Sequence, residues 1–412
     1  MSPRARLAGC VLLFTACSGA PHAHDAAAPD DEGERPPVTR HPDAQVAPST
    51  LDAASPPDVA SAPDVAGTPD AALSADVAVD AGRDSAVSGG DAKTGPVTAE
   101  KWPGPNKVAV VDKANQFPTN LSGLTYEPAA GGKPAVLWGS LNGPSTVYRM
   151  LWNGTTFAFD TANDWGAGKH LAFPGGKGDP DAESVTRAEY DQPFVYVAIE
   201  RDNDSGDTSH QAILRFDTSA AGKTLVAVNE WNLTRDLPAT DPNVGLEGIT
   251  WIPDSYLTAN GFIDQARAAP YDPALYPDHG SGLFVVAAEA TGTLYVYALD
   301  HEKSTFTRVA SMPSGLPAAM GLEFDRDTGA LWSACDDTCA GAVHVLGLSG
   351  GKWVLRRSFT RPSTLPNTND EGIAFAPESE CQAGFRHFFW SDDDRADGHA
   401  LRMDAIPCGP LF

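Results

Sequence analysis

The sequence predicts an all-β domain, a β-propeller of about five blades with six as the alternative, preceded by a disordered N-terminal tether. Three observations predict it. Residues 18–105 are dominated by Ala, Asp, Pro, Val and Ser, with no aromatic side chain before Trp102. From residue 108 onward the chain consists of short β-rich runs separated by Gly, Pro, Asn and Asp. Along this C-terminal region a single short motif recurs at roughly 50–75-residue intervals, the mark of a repeat architecture.

The chain opens on the basic stretch Met1-Ser2-Pro3-Arg4-Ala5-Arg6, followed by a short apolar run over 7–14 and by Thr15-Ala16-Cys17. That run is far short of the ~20 residues needed to cross a bilayer, so it reads as an export signal. A cysteine closing such a segment matches a lipoprotein signal, with residues 1–17 the signal region and Cys17 the lipidated residue. Leu7-Ala8-Gly9-Cys10 fits the cleavage motif by letter, but Cys10 has no apolar segment before it. An ordinary cleaved secretory signal is the alternative. Ser18, in place of an Asp, is compatible with onward transport to the outer membrane. The expected location is therefore the cell envelope, with membrane attachment through the lipid alone, since no later segment approaches a transmembrane length.

The net charge of −25 argues against nucleic acid as a partner. Much of that charge lies in residues 18–105. This region has no apolar periodicity with which to offset the entropy of ordering, and is expected to act as a linker. A coil of that length spans on the order of 50 Å, and proline with like charge extends it.

The recurring motif is Leu121-Ser122-Gly123-Leu124-Thr125-Tyr126, echoed by Glu183-Ser184-Val185-Thr186 and Leu246-Glu247-Gly248-Ile249-Thr250-Trp251. Met320-Gly321-Leu322-Glu323-Phe324 and Asp370-Glu371-Gly372-Ile373-Ala374-Phe375 complete the series. Each echo precedes a turn and two further strand-like runs, as in 136–140 with 146–150, or 283–288 with 293–299. Such units are what propeller blades look like. The run 108–112 has no hairpin partner beside it, so it is expected to complete the last unit and close the ring, giving a propeller domain over 106–412. A sandwich of irregular strands is the alternative fold.

These echoes, together with Val197-Ala198-Ile199-Glu200-Arg201 and Asn369-Asp370-Glu371-Gly372-Ile373-Ala374, resemble the SdiA-regulated and phytase-like β-propeller families over residues 108–412. The resemblance implies a propeller fold and, as in gluconolactonase-like relatives, metal ions near the central channel, frequently calcium. Those families include hydrolases and proteins without a known role, so the fold does not fix the chemistry.

Strands alternate direction within a blade, so the start of strand 1 and the end of strand 2 share a face. Glu183, Glu247 and Glu371 stand at starts of strand 1. Glu200, Glu289, Asp336 and Asp392 stand at or just beyond ends of strand 2, and Asp202 and Asp204 follow in an acidic loop. Carboxylates this dense repel one another unless cations neutralise them, and calcium accepts oxygen ligands in irregular geometry. The expected metal set is thus Glu183, Glu247, Glu371, Glu200, Asp202, Asp204 and Asp392, with Ca2+ the cofactor. The competing possibility is that the glutamates accept backbone N–H bonds and merely lock the ring. Arg187, Arg201 and Arg395 are expected on the same face, as are His210 and His399, the histidines most worth testing as acid–base groups. Asp325-Arg326-Asp327-Thr328-Gly329 reads as a turn on the opposite face.

Cys335 and Cys339 both fall in a strand 2 to strand 3 connection on the acidic face, whereas Cys381 and Cys408 fall on the other. A disulfide tolerates a Cα separation of only ~7 Å, so pairing across faces is excluded and Cys335–Cys339 and Cys381–Cys408 follow. The sequence contains no G-x-S-x-G, H-E-x-x-H, P-loop or dinucleotide motif. The leading functional expectation is a monomeric envelope protein whose acidic face holds calcium and receives a small ligand or an envelope partner. A calcium-dependent hydrolase of phosphate esters or lactones and a structural envelope protein are the alternatives.

Overall fold

The computed structural model describes residues 97–412. The signal segment, Cys17 and the linker before residue 97 lie outside the described residues.

Five antiparallel sheets follow one another along the chain, each beginning with its innermost strand. Blade 1 runs outward through Leu121–Glu127, Val136–Leu141, Thr146–Trp152 and Lys169–Ala172; blade 2 through Pro180–Thr186, Phe194–Asp202, Ser209–Asp217 and Asn229–Asn232. Blade 3 comprises Leu246–Pro253, Gly282–Ala288, Thr293–Leu299 and Phe306–Pro313, and blade 4 Leu322–Phe324, Leu331–Ala334, Val343–Ser349 and Lys352–Phe359. Blade 5 comprises Asp370–Phe375, Phe385–Asp392 and Leu401–Pro407. The innermost strands touch in the order 1–2, 2–3, 3–4, 4–5 and 5–1, which closes a five-bladed ring. Runs such as Phe194–Asp202 are rich in β-branched and aromatic residues and almost wholly buried, as a strand covered on both faces requires.

Five apolar clusters fill the five gaps between blades. Between blades 4 and 5, for example, lie Trp332, Phe359, Phe375, Phe388 and Trp390. Between blades 5 and 1 lie Leu121, Leu124, Phe389 and Leu401. Near the axis the inner strands approach so closely that a side chain does not fit: a Cβ on Gly248 would strike Met320 O, and one on Gly372 would strike Ser122 O. This is why the motif carries glycine there.

Ala109–Val110 pairs antiparallel with Leu401–Pro407 and completes blade 5, as the sequence predicts. The folded domain nevertheless starts earlier than residue 106. Ala99–Glu100 pairs in parallel with Lys352–Phe359 at the outer edge of blade 4. Trp102 then inserts between blades 4 and 5, with its ring 5.1 Å from both Phe388 and Trp390. Two-residue strands such as Ala99–Glu100 leave no periodicity that separates them from linker.

Both expected disulfides, Cys335–Cys339 and Cys381–Cys408, are formed. The 325–329 segment is a turn, as expected, and its Asp325 forms a buried ion pair with Arg386.

Candidate functional site: an acidic mouth of the central channel

The innermost strands are not regular at the ends where the glutamates stand. In blade 3, Leu246 pairs with Ala288 and Gly248 with Ala287, leaving Glu247 as the extra residue of a β-bulge. The same shift isolates Glu371 between Asp370 and Gly372 in blade 5, and Glu183 between Ala182 and Ser184 in blade 2. A bulge re-aims the unpaired side chain, here toward the axis. The register places Ser122 and Met320 at the corresponding points of blades 1 and 4, so the first ring is Ser122, Glu183, Glu247, Met320 and Glu371.

A second ring comes from the end of strand 2 or just beyond it in each blade: Asn142, Glu200, Glu289, Asp336 and Asp393. All five line one cavity of about 370 Å³ together with Glu183, Glu247 and Glu371. Asp181, two residues before Glu183, adds an eighth carboxylate, and the only cation in the lining is Arg201. Arg201 is already engaged, with Nε 2.6 Å from Asp181 Oδ2.

Oxygens of Glu183, Glu247 and Glu371 lie within 4.8 Å of one another, and so do those of Asp181, Glu183 and Glu200, and of Glu200, Glu247 and Glu289. The three groups share members. Hydrogen bonding does not account for them. Glu200 accepts from Gly245 N–H at 2.5 Å, and Glu371 Oε1 from Asn369 at 3.0 Å. Glu183 has only a long contact from Asn142, at 3.4 Å. Glu371 Oε2 is buried without a partner. Glu247, only 7% exposed, has no hydrogen-bond or ion-pair partner among the described residues.

Burial, followed by the charge of neighbouring acids, holds the carboxyls of Glu183, Glu247 and Glu371 well above the usual range. Burial likewise lifts Glu200 to about 8, against the bond from Gly245. Burial and Asp336 lift Glu289 to about 7, and burial with the adjoining Asp394 and Asp392 lifts Asp393 to about 6. Without a counter-ion the cavity opposes its own ionisation.

The expected set divides here. Glu183, Glu247, Glu371 and Glu200 converge. Asp202 does not line the cavity: it caps a turn, accepting from Asp179 N–H at 3.0 Å and Asp204 N–H at 3.1 Å. Asp204 is exposed beyond it. Asp392 is the last residue of its strand and points away, accepting from Ala396 N–H at 2.8 Å and lying 3.8 Å from Arg402. Its neighbour Asp393 occupies the ring, because one residue along a strand reverses the side. Asp181 is the acid that sequence reasoning missed, although its period-two spacing from Glu183 was a usable signal.

The other expected groups lie elsewhere. Arg187 follows the far end of its strand and donates to Tyr190 O and Gln192 O on the opposite side of the ring. Arg395 donates to Phe117 O. His210 pairs with Glu230 at 2.7 Å and His399 with Asp112 at 3.0 Å, so neither reaches the cavity.

No family model and no curated protein matches the chain. Among solved structures it is similar to a nidogen/laminin complex, with a TM-score of 0.31 and 10% identity over 66% of this chain and 72% of that one. It is also similar to an oxidoreductase described as a glucose dehydrogenase, from Thermus thermophilus, with a TM-score of 0.37 and 13% identity over 73% of this chain and 99% of that one.

Proposed function

We propose that this protein is an exported, envelope-anchored binding protein whose acidic channel mouth holds calcium and, through it, a small ligand or a partner. The observation that carries the reading is Glu247, a buried carboxylate with no protein partner among the described residues, aimed by a bulge at two others. A buried charge without compensation is costly, and a cation is the compensation this geometry accommodates.

The donor set suits a hard divalent ion. Calcium takes six to eight oxygens at about 2.3–2.6 Å, so two ligands of one ion stand at most about 5 Å apart. The oxygens of the first-ring glutamates meet that limit. Glu183, Glu247 and Glu371 would hold the ion, Glu200 and Glu289 would reach it from the second ring, and Asn142 and Asn369 offer amide oxygens at the rim. A bound ion would supply an electropositive, coordinating centre in an otherwise anionic mouth. The chain's own residues orient the carboxylates, and Asp181 holds Arg201 aside. Export and lipid anchoring through Cys17 rest on the leader-like sequence 1–17, and the two disulfides accord with an oxidising compartment.

The test is thermal melting of protein stripped of metal. Calcium at about 100 times its dissociation constant should stabilise the native state by roughly 2.7 kcal/mol. A melt indifferent to calcium would overturn the proposal.

A further inference from the structure

Blade 4 contributes to the mouth differently from its neighbours. Its first-ring residue is Met320, so Asp336 is the only carboxylate it supplies to the cavity. Asp336 is buried, and its charge is felt by Glu289 on one side and Glu371 on the other. It is flanked by a cysteine: the disulfide Cys335–Cys339 closes the loop that carries it. Inside that loop Asp336 Oδ1 accepts from Thr338 N–H at 3.0 Å and from Thr338 Oγ1 at 2.5 Å, while Gly341 N–H donates to the Asp336 carbonyl at 2.8 Å. Among the second-ring residues, only Asp336 is directly bonded in sequence to a bridged cysteine.

As a staple for the fold this bridge is the weaker of the two. A disulfide restricts the unfolded chain in proportion to the logarithm of the loop it closes. Cys335 and Cys339 are four residues apart, whereas Cys381 and Cys408 are 27 apart. What the short bridge does fix is local: it ties Cys339 to the end of Leu331–Ala334, and the adjoining Thr338 is the residue that holds Asp336 Oδ1.

We infer that the Cys335–Cys339 disulfide is a positioning device for the cation site, coupling calcium affinity to the thiol–disulfide state through Asp336. This rests on the calcium reading above. Cys335 is buried and Cys339 half-exposed, so an external dithiol reaches Cys339 Sγ first. Reduction breaks the S–S bond and leaves thiols at Cys335 and Cys339. Two electrons and two protons come from the dithiol, which is itself oxidised to its cyclic disulfide. The freed turn then no longer holds Asp336 against the cavity.

The test is calcium titration by calorimetry of full-length metal-stripped protein. Cys335→Ser/Cys339→Ser should raise the dissociation constant on the order of tenfold, about the effect of one carboxylate charge facing the ion across the cavity, while lowering the calcium-free melting temperature by less than Cys381→Ser/Cys408→Ser does. Asp336→Asn should reproduce the loss, and combining the changes should add little, since both act through one group. Cys381→Ser/Cys408→Ser should lower the melting temperature and leave the dissociation constant alone. In that second background, reduction by dithiothreitol should weaken calcium binding and reoxidation should restore it, which keeps the test decisive if Cys335→Ser/Cys339→Ser folds poorly. An unchanged dissociation constant after loss or reduction of Cys335–Cys339 would overturn the inference while sparing the calcium site. Wild-type protein that binds no calcium would overturn the site itself, and the inference with it.

Discussion

Replacing Glu247 by Gln should have opposite consequences with and without calcium. In metal-free protein Glu247 is buried, lacks a hydrogen-bond partner among the described residues and is repelled by Glu183, Glu371, Glu200 and Glu289. Its folded-state proton affinity is therefore raised. The sign follows: relative to an unfolded chain with the ordinary value of 4.5, stability is fully present below that pH and falls as the pH rises above it. At pH 7 this penalty stands against the folded state. Gln does not ionise, so the variant should recover some of this, on the order of 1–3 kcal/mol. At about 2–4 °C per kcal/mol for a domain of somewhat smaller size, that is a rise of several degrees in chelator. With saturating calcium the order should reverse, because the variant lacks one charged ligand. Tryptophan fluorescence melts in chelator and in excess calcium give both numbers. A Glu247→Gln variant destabilised equally in the two conditions would exclude a calcium ligand at this position and identify the side chain as a ring-locking acceptor.

Three other expectations concern the frame around the site. Trp102→Ala should cost about 3–5 kcal/mol, since the ring is buried among Phe359, Phe388 and Trp390; denaturant unfolding of the variant checks it, and a chain beginning at residue 106 should be destabilised at least as much. Arg386→Ala should cost about 3–5 kcal/mol by leaving Asp325 buried without its partner, and Asp325→Asn in the same chain should recover much of the loss in denaturant unfolding. Glu323, buried in the blade 4 inner strand, is raised to about 8 by burial, against the pull of Arg326 and Thr125. With calcium saturating the mouth, wild-type stability between pH 4.5 and 8 should therefore fall more steeply with rising pH than that of Glu323→Gln, by at most ~1.4 kcal/mol per pH unit, in urea melts across that range.

The fold was legible because the inner-strand motif repeats, and the bulged glutamates were legible because Glu247 and Glu371 each precede a glycine that the crowded axis requires. The disulfide pairing was legible because strand direction alone assigns each cysteine to a face. The failures have physical causes. Ser391-Asp392-Asp393-Asp394 offers three consecutive acids, and the alternation of sides at the strand end is what brings Asp393 into the ring while Asp392 turns toward Arg402. The acidic run 202–207 resembles a calcium loop by composition, yet Asp202 satisfies backbone N–H groups of its own turn, a local use of Asp that composition cannot distinguish from metal binding. Trp102 carried a signal, as the first aromatic after the signal-like segment. Its two-residue neighbour strand carries none, and the folded domain begins several residues before the expected boundary at 106.

Calorimetric titration of calcium into metal-stripped full-length protein tests most directly whether the first-ring glutamates bind calcium. Binding should be saturable and should vanish in Glu183→Gln/Glu247→Gln/Glu371→Gln, a variant that stays folded and melts higher than wild type in chelator. Absence of binding to the wild type, or equal binding by the triple variant, would contradict calcium binding by these glutamates.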